Sequence, residues 1–220
     1  MTPKKTILEL TKRIEKILAL FPWLFNLYRL YYRRTVEQEI ILGCISCRDR
    51  VLCIGGGPFP CTALEIAGRT GARVQVVDND PEAVEKARQV VETLNMDSIV
   101  RVEHAEGQHL ELKDFSVIHV ALQVHPREEV LKHILQKASK GVRVLLRTPE
   151  NGLKSYYSPL SQEYYSRSCG YIKQGNGTLK ATLLFQNGGE ISRYDTKSRF
   201  EKMGSHVCSP SADRRTPLAG

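Results

Sequence analysis

Apolar residues recur at helical spacing from the start of the chain. Ile7, Leu10, Ile14, Ile17, Leu18 and Phe21 predict an amphipathic helix ended near Pro22. A second apolar and aromatic set, Trp23, Leu24, Leu27, Tyr28, Leu30 and Tyr31 and then Val36, Ile40 and Ile41, fits one or two more helices before Arg48. Residues 1–49 therefore read as a helical cap. From residue 50 the period changes, and short β-branched runs alternate with helical stretches: strand 51–54, helix 62–69, strand 74–78, helix 81–94, strands 100–104 and 115–120, helix 127–139 and strand 142–147. Such alternation marks a mostly parallel sheet with helices on both faces, because strands buried on both sides are apolar throughout. Pro81 and Pro126 stand where helices begin, a place that tolerates the missing N–H. One more strand is expected at 178–186. Residues 50–203 form one α/β domain, and the Gly, Ser, Pro and Arg content of residues 204–220 predicts a disordered tail.

Charge matters here through its distribution. The net charge is +8, yet residues 51–150 carry −2 and each flank carries +5, so a uniformly cationic, nucleic-acid-coating surface is not indicated. Lys4, Lys5, Glu9, Lys12 and Arg13 break up the apolar N-terminus and deny it a secretory signal. Pro22 and Asn26 interrupt the apolar stretch 17–30, which falls short of the roughly 20 residues of a membrane span. A cytoplasmic protein with six reduced cysteines is expected. Cys44-Ile-Ser-Cys47 has the spacing of half a zinc site, but Cys53 lies inside an apolar strand and Cys61 at a helix start, so no metal is expected.

The strongest chemical signal is Val51-Leu-Cys-Ile-Gly55-Gly-Gly57-Pro-Phe-Pro60, between the first strand and a helix. Glycines there let a bulky polar ligand approach the backbone. Asp78 ends the next strand, 23 residues after Gly55, about the spacing at which a carboxylate reaches the ribose of a nucleotide. Nicotinamide dinucleotides and S-adenosylmethionine share this geometry. Pro60 stands where the dinucleotide fingerprint has its third glycine, and Pro58 and Pro60 widen the loop, which favours S-adenosylmethionine, a ligand with no pyrophosphate.

In the turn Gly55–Gly57, in Asp78-Asn79-Asp80-Pro81, and in Arg101-Val-Glu-His-Ala-Glu106-Gly, the chain resembles the class I S-adenosylmethionine-dependent transferases. The resemblance implies a Rossmann-like S-adenosylmethionine-dependent methyltransferase fold with a short N-terminal helical cap, and a cofactor held by Gly55, Gly56, Gly57, Pro58, Asp78, Asn79, Glu106 and Ala121. Cys53 departs from that family, which usually has an acid there. Within the class the chain is most similar to nicotianamine synthases, through Gly-x-Gly-Pro-x-Pro, through Val120-Ala-Leu-Gln-Val-His125, and through Lys140-Gly-Val-Arg-Val-Leu-Leu-Arg147-Thr-Pro-Glu-Asn-Gly152. These enzymes transfer the 3-amino-3-carboxypropyl arm of the cofactor instead of its methyl. The match runs from about Tyr28 to Pro159.

That resemblance implies an acceptor that is a small amine or amino acid, and a cap glutamate facing the transferred amine. Glu37 is the favoured catalytic residue, taking a proton from the amine, and substitution of Glu39 should matter little; the alternative is a solvated helix face carrying two acids. Arg147 ends an apolar strand and meets either a ligand carboxylate or an acid such as Glu150 or Glu106, the latter otherwise placed to hold the adenine amino group. Tyr31 and Tyr32 either contact substrate or pack the cap. His125 is a weaker acid or base candidate. A methyltransferase acting on a small molecule or RNA is the alternative activity, and a non-catalytic cofactor-binding module the second. Nucleic acid ranks below a small-molecule partner, no membrane partner is expected, and a homodimer is compatible with the chain.

Overall fold

Val51, Val74, Val76, Val117 and Leu145 point to one side of their strands and Leu52, Ile54, Ile118, Val120 and Leu146 to the other, and all are buried. Strands apolar on both faces stay out of water only in the middle of a layered sheet. In the computed structural model, which describes residues 22–174 and 177–188 with side chains from Tyr32 onward, they build that sheet. Helix α1 (Pro22–Gly43) leads into β1 (Arg50–Ile54), α2 (Cys61–Thr70), β2 (Arg73–Asp78), α3 (Pro81–Thr93) and β3 (Val100–His104). There follow β4 (Val117–Val120), α4 (Arg127–Lys137), β5 (Arg143–Pro149), α5 (Gln162–Arg167), β6 (Gly170–Lys173) and β7 (Leu179–Gln186). The sheet order is β3-β2-β1-β4-β5-β7-β6, parallel from β3 to β5, with β7 antiparallel to both β5 and β6.

One core lies between the sheet and α1, α2 and α3, and includes Val36, Ile40, Leu64, Ile66 and Val84. The other lies under α4 and includes Val130, Leu131 and Ile134. Each large apolar side chain fully withdrawn from water contributes roughly 1.5–3 kcal/mol. Helix α1 is unbroken where the pattern allowed two helices. It ends in a Schellman arrangement, with Ile45 N–H donating to Ile40 O at 2.9 Å and Cys44 N–H to Ile41 O at 3.1 Å, and Cys44 takes the left-handed conformation (φ 46°) usual for glycine. Arg143 donates to the freed carbonyls of Gly43 and Cys44 and pairs with Asp49, clamping the end of α1 to the start of β5.

Strand β4 starts at Val117, two residues later than expected, and just before it Ser116 turns its hydroxyl to Asp49 at 2.7 Å. The short elements α5 and β6 carry too few residues to show a period in the sequence. The helix expected before Pro22 and the tail expected from Gly204 lie outside the described residues. Among the described residues no helix is long and apolar enough to cross a membrane.

Candidate functional site

At the C-terminal edge of the sheet the Gly-rich loop folds back over β2. Gly55 and Gly56 N–H donate to Val77 O at 2.9 and 3.3 Å, and Gly57 N–H donates to Asp78 Oδ2 at 2.8 Å. Asp80 N–H reaches the other carboxylate oxygen at 3.0 Å. Each oxygen of Asp78 thus accepts one backbone donor and keeps lone-pair capacity for further hydroxyls. A Cβ on Gly56 would stand 2.1 Å from Val76 Cγ1, so glycine is obligatory there. Gly57 is different: φ is 61°, but an added Cβ would meet nothing within 4 Å, so the space over the loop is open.

Ala121 N–H donates to Ile54 O at 3.0 Å and Ala105 N–H to Asp78 O at 3.0 Å, which brings the ends of β3 and β4 to the same edge. Glu106 is exposed there, accepting from Gln108 and His109, each at 3.0 Å. Pro58 is half-buried in the loop. The exposed Asn79 offers its carbonyl to His104 Nε2 at 3.2 Å.

The other part of the edge is built around Glu39, on the face of α1 that packs on the sheet. Its carboxylate is fully buried and receives four hydrogen bonds: Arg147 Nε at 2.8 Å, Arg147 Nη2 at 2.7 Å, Thr182 Oγ1 at 2.7 Å and His119 Nε2 at 3.2 Å. Burial opposes ionisation of Glu39, but the charge of Arg147 and the bond from His119 outweigh it and hold the carboxyl well below the usual range. Burial pushes His119 down against the pull of Glu39, so the imidazole is neutral, and the nitrogen facing an acceptor-only carboxylate carries its proton. For Arg147 burial acts downward, and the Glu39 carboxylate reverses it and keeps the guanidinium charged. The ring of Tyr32 lies 5.4 Å from Arg147 Cζ. Beneath the pair, burial pushes the Cys53 thiol up to about 12, which keeps it protonated.

The structure separates the two acids of α1. Glu37 and Glu39 are two residues apart, about 200° around a helix, and Glu37 points away from the sheet with 55% of its side chain exposed, 3.5 Å from Arg69. Glu37 therefore does not face the site, and Glu39, expected to matter little, is the buried acid. Arg147 meets neither Glu150 nor Glu106; both arms of its fork are on Glu39. Tyr32 borders this cluster, whereas the side chain of Tyr31 lies outside the described residues. His125 is exposed at the end of the loop after β4.

Sequence reasoning missed His119, Thr182 and the buried Arg127. Two carried a signal: His119 is the one polar residue of Val-Ile-His-Val, and Arg127 opens the buried helical stripe Val130, Leu131, Ile134. Glu39 carried one too, since it continues the stripe of Val36 and Ile40.

A family model, nicotianamine synthase protein, matches residues 5–171. L-histidine 2-aminobutanoyltransferase of Yersinia pestis is 31% identical over 134 residues, 60% of this chain and 49% of that protein. The crystal structure of MtNAS in complex with MTA and tNA superposes with a TM-score of 0.64 at 28% identity, over 71% of this chain and 60% of the other. A mutant of MtNAS in complex with S-adenosylmethionine gives 0.64 at 26% identity, over 79% and 66%. An RNA methyltransferase from Salinibacter ruber, 15% identical with a TM-score of 0.57, shares the fold alone. This chain spans about half the length of the Yersinia relative and three-fifths of MtNAS. The Rossmann-like S-adenosylmethionine-dependent methyltransferase fold expected from the sequence is the fold observed.

Proposed function

This chain belongs to the nicotianamine synthase family, and from that premise we propose that it binds S-adenosylmethionine and transfers the 3-amino-3-carboxypropyl group to the nitrogen of a small amine or amino acid. The residues present fit the cofactor: the space over Gly57 is open, and Asp78 keeps capacity for ribose hydroxyls after binding the loop. Gly55, Gly56, Gly57 and Pro58 would border its sulfonium side, Asp78 and Asn79 its ribose, and Glu106 and Ala121 its adenine. Bound there, S-adenosylmethionine supplies a carbon attached to a good leaving group, so the protein has to position an amine and manage charge. We read residues 1–49 as the acceptor-side cap and residues 50–203 as the cofactor domain.

The observation that carries this reading is the buried Glu39–Arg147 pair at the sheet edge under the cap. Four donors fill the Glu39 carboxylate and Arg147 holds it ionised, so it does not serve as the proton acceptor expected of a cap glutamate. Its work is to cancel the charge of Arg147. A bare guanidinium would repel a nearby sulfonium, and an acceptor that arrives as an ammonium before losing its proton, whereas the paired one does not. The Arg147 guanidinium also lies over the ring of Tyr32, a surface that favours cations, which adds to the compensation of its charge.

Mass spectrometry of the nucleoside product, after incubation with S-adenosylmethionine and a pool of amino acids and amines, tests the proposal. Methylthioadenosine is the expected product. S-adenosylhomocysteine would return the chain to the methyltransferases, and cofactor binding without turnover would make it a binding module.

A further inference from the structure

Two arginines are buried near this sheet edge, and they differ in one respect. Arg147 has a carboxylate on both arms of its fork. Arg127, at the start of α4, is 1% exposed and has no acidic partner among the described residues. Its Nη2 donates to Leu122 O at 2.7 Å, and its Nε is a buried donor with no acceptor. Buried cations are ordinarily paired, because leaving the charge uncompensated costs several kcal/mol. A buried donor with no acceptor likewise calls for a cause.

Arg127 is tied to two segments at the sheet edge. Its backbone N–H donates to Ser158 Oγ at 3.1 Å, tying it to the segment after β5. Leu122, whose carbonyl it binds, follows Ala121, the residue that ties the end of β4 to Ile54 at the end of β1. Arg127 therefore adjoins the C-terminal sheet edge through Leu122 and Ala121. Among the described residues no side chain there supplies the missing negative charge.

We propose that Arg127 is a carboxylate seat: its Nε and its uncompensated charge receive the α-carboxylate of an amino-acid ligand, either the acceptor or the arm of S-adenosylmethionine. This rests on the transferase reading above, and it makes the ligand's amino-acid moiety, not an amine alone, the recognised group. A guanidinium fork suits a carboxylate in the plane of two N–H groups.

Calorimetry on paired probes separates the two sources. S-adenosylhomocysteine is compared with methylthioadenosine, which lacks the arm, and the tightest binder among the twenty amino acids is compared with its decarboxylated amine. Arg127→Gln should weaken the carboxylate-bearing member of one pair by roughly 10- to 100-fold, the range for a charge-assisted contact. Methylthioadenosine should stay within about twofold, and Arg127→Lys should recover part of the loss, both as expected of a change confined to the carboxylate contact. The pair that responds identifies the source. Equal binding of all probes by Arg127→Gln and the natural chain would overturn the proposal, as would a parallel loss of methylthioadenosine, the mark of a purely structural arginine.

NMR of the Arg127 Nε–H in the unsubstituted protein gives an answer even if the variant does not fold. A shift with carboxylate-bearing probes and none with methylthioadenosine is expected, and no shift with either overturns the proposal. Failure of the transferase reading registers separately, as absence of methylthioadenosine among the products.

Discussion

On the β1–β2 side of the sheet edge, Gly57 and Asp78 are 21 residues apart and are joined through a backbone N–H. On the β4–β5–β7 side, Glu39 meets Thr182 across 143 residues, and all four hydrogen bonds to its carboxylate come from side chains. The first region is made of turn geometry and responds chiefly to sterics. The second is made of charge in a dry interior, where removing one partner leaves the other uncompensated. The two halves of one edge should therefore fail in different ways.

The largest effect is expected from Glu39→Ala, which leaves Arg147 buried and unpaired. Urea unfolding should show a loss of roughly 3–5 kcal/mol. A loss below about 1 kcal/mol would place the pair in the class of exposed ion pairs. On the loop side, Asp78→Ala should weaken methylthioadenosine binding by about 1.5–3 kcal/mol. Calorimetry checks it, and an unchanged affinity would move the nucleoside off β2. Gly56→Ala forces a methyl against Val76 and should cost about 1–3 kcal/mol of stability. Gly57→Ala meets open space and carries only the cost of a left-handed backbone, about 1–2 kcal/mol.

The pH dependence should come from the β4–β5–β7 side. His119 and Glu39 both titrate below their ordinary values in the folded chain, so the unfolded chain binds more protons in acid and stability is lost as pH falls. Thermal melts should decline once pH drops below about 6.5, the ordinary histidine value, and more steeply below about 4.5 as the carboxylate enters. His119→Gln should remove the first part of that decline. The smallest effect is expected from Glu37→Gln, within about 0.5 kcal/mol in stability, since its contact with Arg69 is exposed and Arg69 keeps Glu65 at 2.9 Å.

The same contrast explains what the sequence could show. Gly55 to Gly57 and Asp78 are legible because a tight turn after an apolar strand writes its requirements into adjacent residues. Strands β1, β2 and β3 are legible for the same reason: Val51-Leu-Cys-Ile, Val74-Gln-Val-Val and Val100-Arg-Val are short, β-branched and bounded by turns. The choice between Glu37 and Glu39 turns on helix phase, and the stripe of Val36, Glu39 and Ile40 already holds it, but a buried acid reads as an error in that stripe until its partners are known. Those partners lie on β4, β5 and β7, and no local pattern relates a glutamate on a helix to a threonine on the last strand. Arg127 is a case like Glu39: it stands in phase with the buried stripe Val130, Leu131 and Ile134, but an arginine at the first position of a helix is ordinarily a solvated one.

The central claim is that the acid of the cap that matters is Glu39, acting by fixed charge. Turnover of Glu39→Gln and Glu37→Gln, measured side by side as methylthioadenosine release at saturating S-adenosylmethionine, tests it most directly. Glu39→Gln should fall by roughly 100-fold or more, the scale for losing a preorganised charge beside the reacting centre, while still binding methylthioadenosine. Glu37→Gln should match the unsubstituted chain. A collapse of activity in Glu37→Gln with Glu39→Gln unimpaired would contradict the account.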